Sequence, residues 1–78
     1  MNKYPNIISD SKILGGKPII KGSRISVEMI LELISSGASI DDIVLTYPHL
    51  SRESASEAIN YATEYLKNEI LVEIKTVA

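Results

Sequence analysis

Residues 15–26 hold the densest set of residues that could do chemistry. This stretch reads GGKPIIKGSRIS and combines three glycines with three cations, Lys17, Lys21 and Arg24. Such a run can cradle a phosphate, form a tight turn, or offer a basic patch to nucleic acid. The phosphate-loop pattern needs Ser or Thr directly after Gly-Lys, whereas Pro18 follows Lys17. No nucleotide site is therefore expected, and a turn and a basic patch both stay open.

The same stretch predicts a β-hairpin with a two-residue turn at Gly22-Ser23. A Gly-X pair suits a type II′ turn, which would place Lys21 directly opposite Arg24 on the exposed face. An anion lying between these like charges would relieve their repulsion. We therefore expect both cations, together with Lys17, to contact DNA phosphates. A solvated hairpin whose glycines merely serve turns is the alternative.

Charge is distributed unevenly along the chain. The 78 residues carry a net charge of −2, but residues 1–24 hold five Lys or Arg against one acid. Residues 25–78 hold three cations against nine acids. A basic head on an acidic body indicates a polyanionic partner for the head, with a solvated basic face as the plain alternative. Lys3 and Lys12 would assist the contacts of this head.

No combination of residues predicts catalysis. His49 follows Pro48 in a turn and is expected to be a loop or capping histidine. Asp41 and Asp42 point in different directions on a helix and suit the positive end of its dipole. The chain has no cysteine and one histidine, so a thiolate zinc site cannot form. We expect no enzyme activity, no catalytic residue, no metal and no cofactor.

The segment VEMILELISSG predicts the first helix, which Ser26 caps and Gly37 ends. Four aliphatic residues with helical spacing form its buried face: Val27, Ile30, Leu31 and Ile34. Met29 and Leu33 widen this arc and would be exposed in a single copy. Because so short a chain buries little core, we expect these two residues at a homodimer interface. A central helix of a small core is the alternative.

Two further helices are predicted on either side of a break at Pro48–Ser51. Ser39 caps the first of them, and Ser51 caps the other. The outer face of the last helix carries Arg52, a candidate DNA contact, among three glutamates that duplex DNA would repel. We therefore expect this face to be solvated rather than to read DNA. The spacing of the two helices around the break nevertheless matches a helix-turn-helix.

Taken in order, these motifs resemble those of domain-of-unknown-function family 433. GKPIIKGSRISV at residues 16–27 resembles the family signature GGKPVIKGTRIPV, and YPHLS at residues 47–51 resembles its YPHLT. Gly-Ala-Ser at residues 37–39 is similar to the G-x-S before its second helix. The similarity spans about residues 7–66. Ser26 stands where the family usually has Pro, and it keeps a good helix cap.

The resemblance implies an all-α, homeodomain-like three-helix bundle (a helix-turn-helix) with a short N-terminal β-hairpin, often as a homodimer. Members are commonly regarded as VapB-type antitoxins of type II toxin–antitoxin pairs, encoded beside a PIN-like nuclease. We expect one domain over residues 1–78. It would comprise a basic arm and hairpin (1–26), a three-helix body (27–67) and a C-terminal segment (68–78).

The leading hypothesis is a cytoplasmic, dimeric antitoxin whose hairpin meets DNA. Residues 68–78 could prolong the third helix, form a short helix, or lie as a β-rich tail, and their aliphatic density predicts docking on a nuclease toxin. The candidate toxin-binding residues are Ile70, Val72, Ile74 and Lys75. The alternative is a protein-binding or scaffolding homodimer with no DNA role. No apolar run suits a membrane helix, so no membrane partner is expected.

Overall fold

The computed structural model of the chain describes the backbone of residues 3–77 and the side chains of residues 3–66. Within that part the protein has three α-helices and one two-stranded antiparallel sheet. The elements in chain order are β1 (Ile7–Ile8), β2 (Ile19–Ile20), α1 (Val27–Ser35), α2 (Ile40–Thr46) and α3 (Arg52–Val77). This mostly helical body behind a short N-terminal sheet agrees with the coarse fold expected from the sequence.

Strand β2 lies at the centre of the fold. On one side Ile7 pairs with Ile20 and Ile8 with Ile19, and on the other Ile19 bridges to Ser26. The two β2 residues are 0% and 2% exposed, although neighbouring side chains of a strand point to opposite faces. Both faces of β2 are therefore covered by protein, which fixes the loop that follows it.

The turn after β2 is not the expected two-residue turn at Gly22-Ser23. The Ser23 N–H donates to the Ile20 carbonyl at 3.0 Å, so the turn centres on Lys21 and Gly22. Gly22 has φ of +81° at the third position, as in a type II turn. The Lys21 N–H donates to the carbonyl of the residue before β1, at 2.8 Å. Lys21 and Arg24 therefore do not face each other as a cross-strand pair.

A four-residue loop, residues 21–24, replaces the predicted turn. It is closed by the Ile20 N–H, which donates to the Ile25 carbonyl at 2.9 Å. The Ser23 hydroxyl donates to the Ile20 carbonyl at 2.7 Å and accepts from the Ile25 N–H at 3.0 Å. A side-chain hydroxyl thus takes the place of one ladder hydrogen bond, the one from the Ile25 N–H to the Ile20 carbonyl.

Helix α1 begins and ends as its sequence predicts. The Ser26 hydroxyl accepts a hydrogen bond from the Met29 N–H at 2.9 Å, the expected N-cap. Gly37 has φ of +104°, and its N–H donates to the Ile34 carbonyl at 3.0 Å. The Ala38 N–H donates to the Leu33 carbonyl at 3.0 Å, which completes a Schellman motif.

The caps of α2 and α3 are reciprocal. The Ser39 hydroxyl accepts from the Asp42 N–H at 3.1 Å, and the Asp42 carboxylate accepts from the Ser39 N–H at 2.9 Å. These hydrogen bonds hold the pKa of Asp42 below its ordinary 3.8. At α3 the Ser51 and Ser54 hydroxyls each accept from the other's N–H, at 3.0 and 3.1 Å.

Helix α3 supplies the surface on which the other elements pack. Ala55, Ala58 and Ala62 are 0%, 0% and 7% exposed, and these small side chains let α1 and α2 approach closely. Leu66, one turn after Ala62, is 38% exposed and lies at the edge of this face. Of the three alternatives for residues 68–78, the first is observed, because α3 continues to Val77.

Most of the wide apolar face of α1 packs against the core of the same chain. Met29 and Leu33, expected to be exposed in a single copy, are half-buried and pack against the core. That expectation is therefore wrong, because the core extends to the edge of the α1 arc. Among the described residues, no helix combines the length and the apolar character needed to cross a bilayer.

The N-terminal arm is held on the outer face of α3. The Glu57 carboxylate accepts from the Asn6 N–H at 2.6 Å and from the Asn6 side-chain amide at 3.1 Å. Tyr4 packs edge-on against Tyr61 with ring centroids 5.4 Å apart. Glu57, expected on a solvated face, is thus half-buried and binds the arm. These contacts fix the approach of the chain into β1.

We predict that Glu57→Ala lowers the free energy of unfolding by about 1–3 kcal/mol, because two hydrogen bonds to a carboxylate are lost. Thermal unfolding followed by circular dichroism would show a melting temperature lower by about 4–8 °C per kcal/mol. The matched control is Glu53→Ala, an exposed glutamate one turn earlier on α3. Equal melting temperatures for the two variants would contradict the arm contact.

Candidate functional site

Three of the cations near the expected basic surface are already paired with acids. Lys3 Nζ lies 2.7 Å from Glu64 Oε2, and this hydrogen-bonded partner raises the pKa of Lys3. Lys17 Nζ lies 2.8 Å from Glu28 Oε1 on α1, which raises the pKa of Lys17 in the same way. The third pair joins Arg52, at the start of α3, to an aspartate at the start of α2.

The remaining cations of the head have no such partner. Lys12, Lys21 and Arg24 are exposed, and none forms an ion pair or a side-chain hydrogen bond with another residue of the described part. We call these three residues the open cations. An exposed charge that forms no ion pair is the least costly one to place beside a phosphate or carboxylate, because no existing pair has to be broken. Of the three, Lys12 does have an acid nearby, since the Asp10 carboxylate accepts from its backbone N–H at 2.9 Å.

The loop 21–24 is held rigidly although its cations are exposed. Its backbone is tied to Asn6, the residue before β1, through the Lys21 N–H and to residue 25 through the Ser23 hydroxyl. Gly22 sits at positive φ, and a Cβ added there would meet no atom within 4 Å. Strain rather than space therefore requires glycine at this position. Two of the open cations, Lys21 and Arg24, are the first and last residues of this loop.

A shallow cleft of about 600 Å³ opens beside the loop. Its floor is aliphatic, and Arg24, His49 and Tyr47 stand among its lining residues. The floor residues are Ile8, Ile13, Ile19 and Ile25. The cleft thus joins the β-sheet to the break between α2 and α3. It has no acidic lining residue in the described part of the chain.

The structure brings together only part of the predicted site. Lys21 and Arg24 lie on one loop, as expected, whereas Lys17 and Arg52 are held by acids of α1 and α2. His49, expected to be a loop or capping histidine, also lines the cleft beside Arg24. Spacing could not reveal this neighbour, because the two residues come from distant parts of the chain. The one signal that Arg24 and His49 share in the sequence is that each falls in one of the two family motifs quoted above, at residues 16–27 and 47–51.

The other expected sites have different outcomes. Helix α3 presents exposed Glu53 and Glu64 on its outer side, and Glu64 is bonded to the arm. The side chains of the candidate toxin-binding residues lie outside the described residues: Ile70, Val72, Ile74 and Lys75. Over residues 3–66, no three His, Asp or Glu side chains are grouped as they would be around a metal ion.

Comparison with known proteins gives a family and a fold. The family described as "Protein of unknown function (DUF433)" matches residues 7–62. The crystal structure of a DUF433 member protein from Anabaena variabilis is similar, with 28% sequence identity and a TM-score of 0.73. The similarity covers 90% of this chain and 68% of that chain. No curated protein matches. The chain therefore belongs to the DUF433 family of proteins of unknown function.

Proposed function

We propose that this protein is a dimeric, non-enzymatic antitoxin-type protein that contacts duplex DNA phosphates through the loop 21–24 and binds a PIN-like nuclease. The observation that carries the DNA part is the state of the cations. Lys21 and Arg24 stand exposed on a rigid turn without an acidic partner in the described part of the chain. Because hydrogen bonds already hold the loop, its backbone loses little freedom on binding, and the ordering cost is confined to the two side chains.

The proposed binding positions the protein without reading sequence. In a helix-turn-helix, of the homeodomain-like kind, α3 would follow the break at residues 47–51 as the recognition helix. Its first residue, Arg52, is paired with Asp41, and its outer face carries glutamates. Contacts from the loop to the phosphate backbone therefore supply the affinity, which makes binding weak, indifferent to sequence and strongly salt-dependent.

A protein-binding homodimer without a DNA role is the second candidate. The paired Arg52 and the glutamate-rich face of α3 favour it, because both lower the affinity for a polyanion. Both candidates need a surface that binds another protein, so a protein partner does not distinguish them. The two are separated by whether the protein binds duplex DNA at all.

We predict that Lys21→Ala with Arg24→Ala weakens duplex binding and flattens its salt dependence. The slope of log affinity against log salt should become less steep, by an amount that corresponds to roughly two to four phosphate contacts per dimer. The reason is that each protomer loses two cations. Fluorescence anisotropy with a labelled duplex at several salt concentrations measures this slope. The fold should survive, since both side chains are exposed.

The matched control is Lys17→Ala with Arg52→Ala, which removes the same net charge from two cations already paired with acids. Its salt slope should stay close to that of the parent. If both double variants weaken binding equally, net charge alone is responsible and the loop has no special role. If the parent does not bind at low salt, the second candidate stands.

We also predict a homodimer formed through the partly exposed edge of α1. Leu33→Gln should raise the dimer dissociation constant by about tenfold, because an apolar contact is replaced by an amide. Light scattering across a dilution series measures the change, with circular dichroism as the check on folding. Leu45→Gln on α2, whose parent side chain is 81% exposed, is the control. A parent protein that stays monomeric at micromolar concentration would overturn the prediction.

A further inference from the structure

We infer that the cleft beside the loop 21–24 is a docking site for a segment of a partner protein in which aliphatic side chains alternate with carboxylates. The inference goes beyond the proposed function, because it holds whether or not the protein binds DNA. It rests on three features of the described residues: an apolar floor, the unpaired cation Arg24 among the lining residues, and a rigid frame.

Part of the aliphatic floor of the cleft is not buried in the core and stays accessible. Ile19 and Ile25 are buried and carry the fold, but Ile8 and Ile13 are only half-buried and lie outside the main core cluster. Ile13 is followed by Leu14, which is 48% exposed at a φ of +49°. A partner's aliphatic side chain laid on Ile8 and Ile13 would remove that surface from water.

The charges around the cleft select an acidic partner. Arg24 lines the cleft and is the one Lys or Arg among the lining residues that the structure describes. It forms no ion pair within the described part of the chain, and no Asp or Glu is among those lining residues. His49 adds an imidazole N–H donor to the lining. A carboxylate at this rim would gain charge-assisted hydrogen bonds without breaking an existing pair.

The shape of the cleft favours a chain segment over a small molecule or DNA. A small ligand is usually enclosed over most of its surface, whereas this cleft is broad and open. A duplex presents phosphates to a cation but offers no aliphatic group to the isoleucine floor. An extended peptide can place a carboxylate at Arg24 and its neighbouring aliphatic side chain on Ile13. Only such a segment uses both the floor and the rim.

Arg24 belongs both to the lining of the cleft and to the loop that is proposed to contact DNA. A carboxylate bound at Arg24 would occupy one of the two cations that the loop offers to a duplex. Occupation of the cleft by the partner segment should therefore lower duplex affinity. Variants of the two surfaces can separate these events, because Ile13 serves only the cleft and Lys21 stands outside its lining.

The test is a titration of the ¹⁵N-labelled full-length protein with the peptide acetyl-Gly-Ile-Glu-Leu-Glu-Gly-amide, followed by amide chemical shifts. We expect saturable shifts grouped at Ile13, Gly22 to Arg24 and His49, with weak affinity, a dissociation constant of about 1 mM or tighter. The same peptide with Lys in place of Glu should bind at least about tenfold more weakly, because its charges are repelled. Shifts grouped instead along the groove of Leu31 and Tyr65 would overturn the assignment.

Three variants complete the test. Ile13→Gln should weaken peptide binding by about fivefold or more and leave duplex affinity unchanged, whereas Lys21→Ala should weaken duplex binding more than peptide binding. Leu45→Gln, the same kind of substitution at an exposed site outside the cleft, should change neither. Equal peptide affinity for Ile13→Gln and the parent, or equal binding of the Lys and Glu peptides, would refute the docking site. Failure of duplex binding alone would leave it standing.

Discussion

The burial of both faces of β2 is the constraint on which the rest of this structure depends. Ile19 and Ile20 point to opposite faces of a strand, yet neither is more than 2% exposed. A chain of 78 residues without Phe or Trp has few ways to enclose a strand completely. It does so by pairing β1 on one side, bridging to Ser26 on the other, and laying the sheet on α3.

The candidate surface follows from this placement. Because β2 is held on both sides, the chain must leave it through a tight loop, and that loop carries Lys21 and Arg24 outward. Other cations lie where acids of the helices reach them, so Lys17 and Arg52 are paired. The same bridge that starts α1 at Ser26 also sets Ile25 into the floor of the cleft. One strand therefore positions the exposed charges and the apolar surface beside them.

Much of the fold could be predicted because its signals are local. The caps at Ser26, Ser39 and Ser51 and the helix end at Gly37 depend on residues within one turn. A hairpin that places Lys21 opposite Arg24 also places Ile19 opposite Ser26, and that pairing is observed. The turn between them is predicted wrongly, because it depends on a hydrogen bond from Lys21 to the arm before β1, far away in sequence. The cleft and the pairing of Lys17 and Arg52 also depend on contacts between distant segments. Spacing along the chain carries no information about them.

The central claim is that the loop 21–24 is the part of the protein that meets DNA. Amide chemical-shift mapping of the ¹⁵N-labelled protein with a short duplex at low salt tests it most directly. The account predicts that the largest shifts fall on Lys21 to Ile25, and that they vanish as salt is added. Shifts concentrated instead on the first turns of α3, from Arg52 onward, or no shifts at all, would contradict it.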